Sequence, residues 1–110
     1  MRGELQLKRV RGGYVFTLKA YNGYVVLTSE RHKAKAEAHA AIQRVGVCAD
    51  NDACYEHKLS DNDQPYFVLK DINGQVLGTS QMYSSSMAMK HGIPAVKRNV
   101  KWAVFKDLTI

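Results

Sequence analysis

The sequence predicts an α+β domain built twice over, each unit supplying β-strands and one helix. Three observations carry the prediction. The stretch Phe16 to Ser29 returns 51 residues later as Phe67 to Ser80. Each copy holds Asn-Gly (Asn22-Gly23, Asn73-Gly74) between two β-rich runs, the pattern of a hairpin. After each copy the apolar spacing changes from period 2 to helical, with Ala34, Ala38, Ala41, Ile42 and Val45 in the first unit and Met89, Ile93 and Val96 in the second. The expected organisation is a single domain of two pseudo-repeats, residues 1–53 and 54–110.

In chain order, Glu4 to Val10 alternates as a first strand and Gly12-Gly13 supplies a turn. Tyr14 to Tyr21 and Tyr24 to Ser29 form a hairpin. A two-residue turn at Asn22-Gly23 pairs Tyr21 with Tyr24, Ala20 with Val25, Leu18 with Leu27 and Phe16 with Ser29. One face then carries Phe16, Leu18, Val25 and Leu27, and the other Val15, Thr17, Lys19, Tyr21, Tyr24, Val26 and Thr28. The first helix begins without a capping side chain, since Lys33-Ala34 stands where Ser or Asp would accept from free amides. Asp50-Asn51-Asp52 breaks the chain, and Ala53 to Leu59 is a strand shared by both units. A polar turn at Ser60 to Pro65 leads to the hairpin of Tyr66 to Ile72 and Gln75 to Ser80. The second helix has Ser84, Ser85 and Ser86 at its start, with Pro94 predicted to kink or break it. Trp102 to Leu108 closes the chain as a strand.

Composition narrows the function classes. A chain of 110 residues with 45% apolar and 24% charged content suits one soluble domain, and no apolar run reaches the ~20 residues of a membrane helix. No apolar leader opens the sequence, so a cytoplasmic protein with reduced Cys48 and Cys54 is expected, and no membrane partner. The net charge of +6 divides as nine basic against five acidic residues over 1–53 and seven against five over 54–110. Spread over several elements, it does not form the concentrated basic face of a dedicated nucleic-acid binder.

With Phe67-Val68-Leu69-Lys70, Asn73-Gly74, Val76-Leu77-Gly78-Thr79-Ser80, Tyr83-Ser84-Ser85, Gly92-Ile93 with Val96, and Lys106-Asp107-Leu108-Thr109 in place, the chain resembles the YegP-like family over nearly its whole length. That family comprises small bacterial domains of unknown function. The resemblance implies tandem β-β-β-α-β units forming one antiparallel sheet, with C-terminal strands exchanged between units. It implies no activity, cofactor or catalytic residue. The chain departs from the family pattern at Pro94, at Lys33-Ala34 and at both cysteines.

No constellation for catalysis emerges from the residues. Cys48, Cys54 and His57 lack a fourth metal ligand and the usual spacing. Ser29 and Ser80, with His32 or His91, lack an elbow or oxyanion signature, and strand-end hydroxyls commonly bond local backbone. Phosphate-loop and dinucleotide motifs are absent. The expectation is a noncatalytic binding or structural domain without cofactor. Both helices are expected to cover the face of Phe16, Leu18, Phe67 and Leu69. The opposite face, with Lys19, Tyr21, Tyr24, Tyr66, Lys70 and Ile72, is the candidate binding surface. Val15 and Val26, with Val68 and Leu77 in the second unit, are expected there too. It would serve a protein partner or homodimer or, alternatively, single-stranded RNA or DNA stacked on its rings.

Overall fold

The computed structural model describes residues 2–110. Its elements are β1 (Glu4–Val10), β2 (Gly13–Lys19), β3 (Val25–Thr28), α1 (Lys35–Cys48), β4 (Tyr55–Leu59), β5 (Pro65–Lys70), β6 (Val76–Thr79), α2 (Ser86–Trp102) and β7 (Val104–Asp107), with a 3-10 turn at Asp52–Cys54 before β4. The seven strands form one sheet in the order β4-β5-β6-β3-β2-β1-β7. The halves meet at Thr28, which pairs with Thr79, its own copy in the repeat, as a two-fold relation between the units requires.

The sheet is mixed rather than wholly antiparallel, because β7 runs parallel to β1. The helices account for this. The loop before α2 is tied to the second half, where the Tyr83 amide donates to the Pro65 carbonyl, and the first residue of β7 is tied to the first half, where the Val104 amide donates to the Gly3 carbonyl. Seventeen residues at 1.5 Å each give α2 a length of about 25 Å, enough to cross the ~19 Å between β5 and β1. The helix thus carries β7 into the other unit, and β4 is likewise delivered to β5.

Pro94 does not break this crossing. α2 runs without interruption from Ser86 to Trp102, contrary to the sequence expectation, and Trp102 ends the helix instead of opening a strand. Pro94 is exposed, so water can take the carbonyl that its missing N–H leaves free. Capping follows the sequence: the Ser85 hydroxyl accepts from the Ala88 amide, while Ala34 has no side chain to offer α1.

Phe16, Leu18, Phe67 and Leu69 are buried beneath the helices as expected, joined by Leu7, Leu27, Leu77, Val45 and Val96. The hairpin turns differ from the expected two-residue form. The Ala20 amide donates to the Tyr24 carbonyl and the Gly23 amide to the Ala20 carbonyl, enclosing the three-residue loop Tyr21-Asn22-Gly23. Asp71 and Gln75 enclose Ile72-Asn73-Gly74 in the same way. Gly23 and Gly74 have φ of 88° and 82°, whereas Asn22 and Asn73 do not take the positive φ that a type I′ turn demands of both central residues. The longer loop is absorbed by a bulge. Leu18 still pairs with Leu27, but Lys19 pairs with Val25, leaving Val26 over, and the same shift at Lys70 and Val76 leaves Leu77 over. Val26 and Leu77 thereby join the core rather than the open face.

Candidate functional site

The register places Lys106, Gln6, Thr17, Thr28, Thr79, Val68 and Glu56 in one row across all seven strands of the open face. This surface is polar, rich in threonine and neutralised by ion pairs. Lys70 and Lys58 both bond Glu56, and Lys106 bonds Glu4 at 2.9 Å. Those lysines hold both carboxyls below the ordinary glutamate range, with Gln6 donating a further hydrogen bond to Glu4. Lys19 adds to the positive field on Glu4.

The six residues of the expected binding face are therefore dispersed. Lys19, Lys70 and the half-buried Tyr66 lie on strands of the open face. Tyr21, Tyr24 and Ile72 do not: they sit on the hairpin loops, 65%, 61% and 86% exposed, although Tyr21 also borders a hollow with Lys19, Glu4 and Gln6 of that face. Among rings, only Tyr66 remains on a strand of that face, too little for a run of stacked bases.

Tyr21 and Tyr24 instead border a cleft of about 470 Å³ on the helix side. Its floor is the stripe of small residues Ala88, Gly92 and Ala95, one helical turn apart on α2. Along the same helix, His91, Arg98 and Trp102 reach its walls, and Tyr83 and Val26 close the inner side. Glycine at 92 makes room for Tyr83, since a Cβ there would come within 2.1 Å of the Tyr83 hydroxyl and displace the ring. Tyr83 lies stacked on Phe67, ring centroids 6.3 Å apart, and burial raises its phenol above the ordinary value. Arg98 makes no ion pair among the described residues, and no carboxylate lines the cleft. Sequence reasoning did not find this site, because its walls come from the first hairpin and the last helix. The one available signal was Trp102, the sole tryptophan, one turn beyond Arg98.

Both serines weighed for catalysis are tied into the sheet. The Ser29 hydroxyl accepts from the Phe16 amide and donates to the Glu30 carbonyl, and Ser80 repeats both bonds with Phe67 and Gln81. His32 stacks on Phe16 at 6.1 Å, the counterpart of Tyr83 on Phe67. Cys48 and Cys54 are buried free thiols side by side, and burial pushes the Cys48 thiol up. No group of three His, Cys, Asp or Glu among the described residues could hold a metal ion.

A family model described as a domain of unknown function, DUF1508, matches the chain twice, over residues 10–56 and 60–107. The chain is 46% identical over 110 residues to a UPF0339 protein of Acinetobacter baylyi, covering 99% of both proteins. It is 42% identical over 109 residues to the UPF0339 protein YegP of Yersinia pestis, covering 98% of this chain and 97% of that one. Its structure superposes on the solution NMR structure of a UPF0339 protein from Shewanella oneidensis with a TM-score of 0.91, at 43% identity, covering 99% of this chain and 93% of that one. For the solution NMR structure of yegP from E. coli, described as a protein of unknown function, the TM-score is 0.92 at 36% identity, covering 99% and 95%.

Proposed function

The chain belongs to the DUF1508 family, and for it we propose a noncatalytic binding role centred on the cleft between the first hairpin and α2, with a small organic anion of flat, apolar body as ligand. The observation that carries this reading is the cleft's composition. Exposed Tyr21, Tyr24 and Trp102 offer faces for a planar body, and Arg98 and His91 offer donors to an anion with no carboxylate among the lining residues to compete. A volume near 470 Å³ falls in the usual range for small-molecule sites. The noncatalytic part rests on the hydroxyls of Ser29 and Ser80, each committed to two backbone groups in the sheet.

Trp102 makes the reading testable, because it is the only tryptophan and it borders the cleft. Benzoate and adenosine monophosphate, with benzamide and adenosine as neutral counterparts, are titrated while indole emission is followed. Saturable changes for the anions only, weakened about tenfold or more in Arg98→Ala, are expected, since a charge-assisted hydrogen bond contributes roughly 1.5–3 kcal/mol. Emission unchanged to millimolar concentrations, or equal responses to neutral probes, would refute it. Salt-dependent binding of oligothymidine, abolished by Lys19→Glu with Lys70→Glu, would favour the open sheet face and nucleic acid instead.

A further inference from the structure

The two outer strands of the repeat are not equally covered. Aligned through their partners on β2 and β5, Leu5 and Leu7 of β1 correspond to Tyr55 and His57 of β4. The outer edge of β1 is filled by β7, with the Leu108 amide donating to the Leu7 carbonyl. Among the described residues, no strand lies beside the outer edge of β4. The Ser60 amide donates to the Gln64 carbonyl, so the alternation of an antiparallel ladder turns Glu56 and Lys58 toward β5 and leaves the backbone groups of His57 and Leu59 directed outward.

The side chains around that edge repeat the setting of β7. In the first half, Phe105 lies beside Leu5 and Ile42, on the helix side of the sheet. Their counterparts Tyr55 and Ile93, with Asp52 and His57, line a hollow of about 440 Å³ that no aromatic side chain fills. The next position of β4 can meet a basic residue of the same kind of strand, since Lys70 and Lys58 both bond Glu56 through Oε1 and leave its Oε2 for a further cation. Lys106 lies opposite Gln6 and Asp107 opposite Leu7, and the corresponding residues of β4 are Glu56 and His57.

We propose that the free edge of β4 accepts an extended peptide segment running parallel to it, with a large apolar residue in the hollow by Tyr55 and Ile93, then a basic residue opposite Glu56 and an acidic one opposite His57. Main-chain hydrogen bonds to His57 and Leu59 supply attraction for any strand, and the hollow, the Glu56 carboxylate and the His57 imidazole select the sequence. Only five residues long and carrying charge, β4 resists indiscriminate pairing and suits a selective guest.

The chain's own pattern supplies the probe, a peptide of residues 103–110, titrated into the labelled protein while backbone amide signals are followed. Saturable shifts at His57 and Leu59 are expected. His57→Pro removes an outward amide and the imidazole but no hydrogen bond to β5, so the fold is kept while binding is lost. Glu56→Lys should weaken binding at least tenfold, and a peptide with glutamate in place of Lys106 should restore it. Shifts confined to β1 and β7, absence of shifts at millimolar peptide, or a β4 edge already occupied by a second copy of the chain in sedimentation would each overturn the proposal.

Discussion

Where strand meets helix, the first half lays His32 against Phe16 and the second lays Tyr83 against Phe67, in nearly the same pose. The consequences differ. Tyr83 is longer and extends over Gly92, whose counterpart in α1 is Ala41, so the second half gains a wall of the cleft where the first has packed helix. Leu27 and Gly78 show the same give and take: a Cβ on Gly78 would lie 2.6 Å from the Leu27 Cγ. The repeats share a frame, and each large residue on one side is matched by a small one where the units meet or beneath a ring.

That comparison can be broken at its strongest point first. Phe16→Ala and Phe67→Ala remove equivalent, wholly buried rings and should each cost about 3–5 kcal/mol in denaturant unfolding. Costs differing by more than ~2 kcal/mol would mean that the halves do not share one frame. Gly92→Ala should cost about 1–3 kcal/mol by driving Tyr83 from its place. Adding Tyr83→His, the first half's residue, should recover part of that loss, and a double variant no better than the single would separate the two sites.

The hairpin loops offer a smaller contrast. The Asp71 carboxylate accepts from the amides of Asn73 and Gln75, whereas its counterpart Ala20 accepts nothing through its side chain. Asp71→Ala should therefore lower stability by about 1–2 kcal/mol, and Ala20→Asp should raise it by up to ~1 kcal/mol. Helix starts differ likewise. Ala34 already has the extended backbone of a capping position, so Ala34→Ser should stabilise by roughly 0.5–1 kcal/mol and Ser85→Ala should destabilise by a like amount, read from unfolding midpoints. Acid should discriminate the outer strands. Lys35, followed by Thr109, holds the Asp107 carboxyl well below its ordinary value of 3.8. Its contribution is therefore complete above that value and lost as pH falls toward the lowered one. The protection factors of the β7 amides, which remove the pH dependence of intrinsic exchange, should fall on acidification below pH 4 relative to their values at pH 7.

Much of this architecture was legible before the structure, and the reasons are local. Leu5 to Lys8 alternates, Asn-Gly occurs twice, and the alanines of α1 keep helical spacing, so strands, helices and the buried ring set followed from nearest neighbours. Asn-Gly serves two kinds of turn, however. The residues give no rule for choosing the three-residue loop, and with it the bulge that turns Val26 and Leu77 inward. Pro94 misled because propensity counts the lost hydrogen bond and not the span α2 must bridge. The cleft was hidden because Tyr24 and Arg98 are far apart in sequence and meet only when that helix has crossed the sheet.

The crossing also orders events in time. During synthesis β1 emerges ahead of the other strands described here, and the strand that completes its outer edge, ending at Asp107, emerges after all of them. Until that segment emerges, the first unit has its own three strands and helix with an unpaired edge at β1, and before β6 is made its other edge, β3, is unpaired too. The chain therefore cannot finish its first half before it has made its second. Closing β7 onto β1 is the longest-range pairing in the sheet, and since distant contacts slow folding, it is the natural last step. Removing β7 should consequently unsettle β1, which would be left at the rim of the sheet.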